Sequence, residues 1–212
     1  MRVASAVALA LLLLGSSGCY WRYSNAQGDP FPTPVASETI PLRVGLALNG
    51  DSKSNVLASV APSAVIQELA ERLSEERVFA AVVYPMSSLA RVQPDVVLDV
   101  TAHVEERQHY AENIAKAIFT GISLLLLGPV LPTHLTLAVD LSAAASAAGG
   151  AEIGTYRYRS EYDYYYTTMT PSGPKLYEWS TTARDHAVED VLGQIQRDRH
   201  RFLAIAPQPA GG

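Results

Sequence analysis

Apolar and polar positions follow two periods along this chain, and each period predicts a kind of element. Leu42 to Leu48 alternates apolar residues with small or charged ones and stops at Asn49-Gly50-Asp51, a turn sequence. This predicts a first strand. Pro62-Ser63 then opens a stretch in which Val65, Ile66, Leu69, Ala70 and Leu73 recur at three- and four-residue spacing. Glu68, Glu71, Arg72, Glu75 and Glu76 take the opposite side, so the stretch predicts an amphipathic helix packed along one stripe. Phe79 to Tyr84 has strand length and ends at Pro85, and Asp95 to Val104 alternates as a third strand. Between them, Ser87 to Val92 fits one helical turn. Leu135, Leu137, Val139 and Leu141 alternate with Thr136, Ala138, Asp140 and Ser142 in a half-buried strand. Ala143 to Gly150 is small and reads as the loop of a hairpin, with Ile153 to Thr168 as the return strand. Pro171-Ser172-Gly173-Pro174 reads as a turn, and Thr182 to Phe202 as a long helix with Val188, Val191, Leu192, Ile195 and Phe202 on one side.

Two stretches stand out from this pattern. In the return strand, Tyr156, Tyr158, Tyr162, Tyr164 and Tyr166 share one parity, and Arg157, Arg159, Glu161 and Asp163 share the other. Successive side chains in a strand point to opposite faces, so the tyrosines form a stripe. Such a stripe either packs under the helix layer with its hydroxyls at the rim, or offers a contact surface to a partner or to sugars. Residues 108 to 128 are the second case. Ala111 to Ala117 looks helical. Ile118, Phe119, Ile122, Leu124, Leu125, Leu126 and Leu127 then make an almost wholly apolar run closed by Gly128-Pro129 and Pro132. The run is shorter than the ~20 residues of a spanning helix. It reads as a helix buried in the core, or as a membrane or partner contact.

The N-terminus changes the picture. Met1-Arg2 is a short positive start, Val3 to Leu14 is unbroken apolar sequence, and Gly15-Ser16-Ser17-Gly18 is small. This is the three-part layout of a secretory signal, here spanning residues 1–18. Cys19 follows at once and is the single cysteine of the chain. It has no internal disulfide partner, so its place after the signal needs another explanation. Ser17-Gly18-Cys19 resembles the lipobox of bacterial lipoproteins, with Ser16 where that family usually has leucine. The resemblance implies a diacylglycerol on the Cys19 sulfur, cleavage before it, and acylation of the new amino terminus by a fatty acid such as palmitate. Several chains anchor far more firmly than one, at about 0.8 kcal/mol per buried methylene. Tyr20 rather than Asp follows the cysteine, which by the enterobacterial sorting rule implies the outer membrane with the domain facing the periplasm. Gly28, Asp29, Pro30, Pro32 and Pro34 break regular structure, so residues 19–40 are expected to be a lipidated N-terminus and flexible tether. Residues 41–204 follow as one globular domain and 205–212 as a mobile tail.

Composition narrows the function. The formal charge is −5 with no basic patch, which argues against nucleic acid. The apolar fraction of 48% is that of an ordinary globular domain. Searching for chemistry yields no catalytic set. There is no G-x-S-x-G elbow, no P-loop and no G-x-G-x-x-G after a strand. His103, His109, His134, His186 and His200 include no pair at the spacing of a zinc-protease helix. His103 and His109, with Glu105 and Glu106 nearby, come nearest to a weak divalent site, but solvated charges at a strand end account for the same residues. Asp95 and Asp99 are a carboxylate pair of no particular specificity. No metal, cofactor or catalytic residue is therefore expected.

The order of elements predicts an α+β two-layer sandwich: a mixed sheet of about five strands with amphipathic helices packed on one face. The stretches "PLRVGLAL", "SAVIQELAERLSEERVFAAVVYP", "PDVVLDVTAHV" and "HLTLAVDLSAAAS" resemble in pattern a group of bacterial envelope lipoproteins. The group includes the penicillin-binding-protein activator LpoB, the curli secretion lipoprotein CsgG and the N-terminal domain of TolB. The resemblance implies an envelope lipoprotein that binds another protein or helps assemble one, and carries no functional residue over; the leading expectation is a non-enzymatic periplasmic accessory protein with an envelope protein as partner. Two other readings stay open. One is a self-assembling membrane component that inserts residues 117–132 or the 135–166 hairpin. The other is an envelope enzyme without a recognisable motif.

Overall fold

The computed structural model describes residues 20–24, 38–48, 61–86, 93–109, 111–115, 118, 133–166 and 172–206. Its elements are β1 (Tyr20–Ser24), β2 (Ile40–Leu48), α1 (Pro62–Glu75), β3 (Phe79–Val83), β4 (Val96–Gln108), β5 (Thr133–Ala147), β6 (Glu152–Tyr166), α2 (Ser172–Arg197) and α3 (Arg199–Leu203). The strands form one mixed sheet in the order β1-β6-β5-β4-β2-β3. β2 runs parallel to both β3 and β4, and the other pairs are antiparallel. Helices α1 and α2 pack on one face of the sheet and on each other. The α+β two-layer arrangement predicted from the pattern is the one observed.

Each element follows from its residues. In α1 the buried side chains are Pro62, Val65, Ile66, Leu69, Ala70 and Leu73, the predicted stripe. Pro62 suits the first turn because the backbone N–H it lacks would have no helical acceptor there. The helix ends where Arg77 takes a left-handed φ of 51°. Val78 N–H then donates to Leu73 C=O at 3.2 Å and Arg77 N–H to Ser74 C=O at 3.2 Å. That pattern satisfies the last carbonyls, and Leu73 and Val78 are both buried beside it. Glu68 bridges α1 to α2 through Arg184 at 3.1 Å, with both side chains 19% exposed.

Four boundaries differ from expectation. Ala143–Ala147 is the end of β5, not a loop, and only the turn around Gly149-Gly150 is left between the strands. Ala143 and Ala145 are 0% and 1% exposed. Their small side chains, with Ala183 and Ala187 of α2 also fully buried, let helix and sheet approach closely. Ser172-Gly173-Pro174 starts α2 instead of forming a turn, since a proline in a first turn costs no hydrogen bond. The predicted C-terminal helix is divided at Asp198 into α2 and α3. Finally, part of the expected tether is structured: Tyr20–Ser24 forms edge strand β1, with Tyr20 opposite Tyr165 and Ser24 opposite Glu161. The breakers Gly28 to Pro34 and the one-turn expectation at Ser87 to Val92 lie outside the described residues.

On the outer side, β4 is introduced by a clamp. Arg43 donates to Asp95 from its backbone N–H (2.8 Å), Nε (3.1 Å) and Nη2 (3.0 Å). The side-chain hydrogen bonds from Arg43, followed by its backbone N–H, hold the Asp95 carboxyl below its ordinary value. The native state therefore favours the ionised form, and the stabilisation is present above the unfolded carboxyl pKa of about 3.9. It is lost as pH falls through the lower folded value. The melting-temperature gap between wild type and Asp95→Asn should accordingly be widest near neutrality and close in strong acid. A gap independent of pH would refute this.

Candidate functional site

The tyrosine stripe resolves first. Tyr156, Tyr158, Tyr162 and Tyr164 are 3%, 1%, 1% and 2% exposed and lie on the face that α2 covers. The parity read from sequence is right, but the stripe is core and these four are not a contact surface. Tyr164 stacks on Trp179 at 5.0 Å and donates to its carbonyl at 3.3 Å. Tyr158 and Tyr162 share a hydroxyl–hydroxyl bond of 2.7 Å. Burial pushes the Tyr156 hydroxyl up to about 12. The Tyr166 side chain lies outside the described residues. So do Phe119, Ile122, Leu124, Leu125, Leu126 and Leu127. Ile118 is described and is 59% exposed, and Ile114 is 56% exposed. Among the described residues, no helix is long and apolar enough to cross a membrane. In the 135–166 hairpin, β5 is paired on both sides with β4 and β6, and β6 with β5 and β1.

The outer face of the sheet carries the chemistry instead. Antiparallel register sets two rows across it. Arg107, Thr136 and Asp163 face one another across β4, β5 and β6, and His134 and Tyr165 follow in the next row. His109 joins that row just past the end of β4, where its N–H donates to the His134 carbonyl at 3.4 Å. The rings stack: His109 on His134 at 3.8 Å and 5°, and His134 on Tyr165 at 4.4 Å and 12°.

A helical turn at 111–115 closes over this end. Asn113 N–H donates to the His109 carbonyl at 2.9 Å. The Asn113 side-chain amide grips the His134 backbone twice, accepting from its N–H at 3.1 Å and donating to its C=O at 3.3 Å. Glu112 is thereby brought to His134, with Oε2 3.0 Å from Nδ1. On the other edge of the ring, His134 Nε2 lies 3.3 Å from Asp163 Oδ1. Thr136 donates to the same Asp163 oxygen at 2.6 Å, and His109 Nε2 sits 2.8 Å from the Thr136 hydroxyl. The packing leaves Thr136 6% exposed, although its side of the sheet is the polar one. The cluster can hold positive charge between the Glu112 and Asp163 carboxylates.

This differs from the histidine grouping considered in the sequence. His103 is exposed and faces Asp140 across the strands, Glu105 pairs with Arg107 at 2.7 Å, and Glu106 accepts from Gln108. His109 meets His134 and Glu112 instead. Nothing in local spacing marks His134 as its neighbour, because the register of β4 with β5 makes it so. The alternation of β5 carries the one available clue, since it places His134 and Thr136 on the polar face.

Comparison with known proteins leaves the family open. No protein-family model matches the chain, and no curated protein matches it. Solved structures match the chain at low identity and low TM-score. A putative neuraminyllactose-binding hemagglutinin homolog from Helicobacter pylori is 8% identical, with 86% of this chain and 98% of that one covered at a TM-score of 0.47. A minor lipoprotein from Acinetobacter baumannii is 12% identical, covering 76% and 91% at 0.35. A PelC dodecamer from Paraburkholderia phytofirmans is 14% identical, covering 84% and 98% at 0.35. None of the three carries the name LpoB, CsgG or TolB. Likeness at this level assigns no function.

Proposed function

We propose that this is a lipid-anchored accessory protein of the bacterial envelope, acting by contact with another envelope protein and not by catalysis. The observation that carries the reading is the junction of anchor and domain. Cys19, at the end of the export sequence, is one peptide bond from Tyr20, the first residue of edge strand β1. Acyl chains on Cys19 would hold that end of the sheet close to the bilayer and present the outer face beside it. That face carries charged side chains from three strands, among them Arg107, Asp140 and Arg157. Such a face suits a polar, hydrogen-bonding partner.

The exposed Ile114 and Ile118 favour a second reading, in which the apolar segment they introduce also rests on the membrane. One variant separates the two. With Cys19→Ser, labelling by a fatty-acid probe should disappear and the protein should leave the membrane fraction. Persistent labelling would refute lipidation. Loss of labelling with retention at the membrane would transfer the anchoring role to residues 117–132.

A further inference from the structure

We infer that His109, His134 and Glu112 form a binding site for a divalent transition-metal ion of the zinc type, with Thr136 and Asp163 orienting the two imidazoles. The three residues each offer one ligand atom, and these atoms lie within 4.8 Å of one another. The site does not depend on the envelope reading and stands or falls separately.

The hydrogen-bond network fixes which ring nitrogens are available. Thr136 has one hydroxyl hydrogen and directs it to Asp163 Oδ1. Toward His109 it can only accept, so His109 Nε2 carries the hydrogen and Nδ1 keeps its lone pair. Asp163 also faces His134 Nε2, and a carboxylate accepts there, so that nitrogen is the N–H as well. If the ring is neutral, the lone pair of His134 is then on Nδ1, which lies 3.0 Å from Glu112 Oε2. A lone pair and a carboxylate oxygen repel at that distance, and a cation shared between them removes the repulsion. Two imidazole nitrogens and one carboxylate oxygen are a donor set for zinc and its neighbours, whereas calcium and magnesium favour oxygen. A threonine hydroxyl and a carboxylate on the far nitrogens are the outer partners that metal-bound histidines take. The His134 side chain is 12% exposed and that of Glu112 is 45% exposed, so the site is fixed on one side and open to ions on the other. The stacked rings must splay for both lone pairs to meet one ion.

The competing occupant is a proton. His134 would then be an imidazolium between Glu112 and Asp163, and no metal would bind. The test uses the full chain in detergent, purified through a tag without histidine and stripped of metal. Zinc is titrated against a chromophoric chelator. The expected result is about one zinc per chain, with affinity lowered on the order of tenfold or more in His109→Ala and Glu112→Gln and 10- to 100-fold in Asp163→Asn. His103→Ala, at an exposed histidine of β4, should bind as wild type does. Circular dichroism checks each variant's fold, and Glu112→Gln decides the matter if a histidine variant unfolds, because Glu112 is a surface side chain. Absence of zinc binding, or binding unchanged in Glu112→Gln, overturns the site.

Discussion

Ala143→Asp is expected to destabilise the domain by about 4 kcal/mol or more, while Ala144→Lys next to it changes stability by no more than about 0.5 kcal/mol. Ala143 is 0% exposed, sits between Val100 and Tyr156 in the register, and faces the helix layer. A carboxylate there loses its water and meets an apolar surface, so it must either ionise in the core or take up a proton at a cost. Ala144 points to the exposed side of the same strand, opposite Asp99 and Thr155. Urea unfolding of the two variants measures the contrast. Similar effects in both would mean that the segment is a loop, as its alanine-rich sequence suggests.

Phe202→Ala should cost about 3–5 kcal/mol, the usual range for deleting a buried aromatic ring. Phe202 is fully buried in α3, edge-on to Phe79 at 5.4 Å and 6.2 Å from Tyr156. It is the contact through which the short last helix closes one end of the core over β3 and β6. Leu203→Ala is the control, because Leu203 is 38% exposed and should tolerate truncation with a much smaller loss. The urea midpoint should fall in Phe202→Ala without a change in slope, which marks lost stability and not an altered unfolded state. A loss below about 1 kcal/mol would show that α3 is not docked on the core.

These two sites also show where sequence reasoning runs out. The stripe of α1 and the alternation from Leu135 to Leu141 were legible because large apolar side chains repeat with the period of their element. Alanine marks neither a strand nor a buried face strongly, so Ala143–Ala147 read as a loop until the sheet supplied partners on both sides. Likewise, Tyr20–Ser24 is a strand because β6 offers an open edge. Its neighbours on the C-terminal side are turn-formers, which drew the reading toward a tether.

By itself, then, the sequence determined the α+β class, the helix stripes and the opposite parities on β6. All of these depend on neighbours along the chain. Only the tertiary structure decided that the tyrosine face is the covered one, because either face of a strand satisfies the same alternation until a helix packs on it. It also decided that His109, Glu112, His134 and Asp163 converge. They come from three separate stretches of chain, and only the pairing of β4, β5 and β6 sets their distances. The domain therefore carries its most distinctive polar cluster where no local motif could announce it.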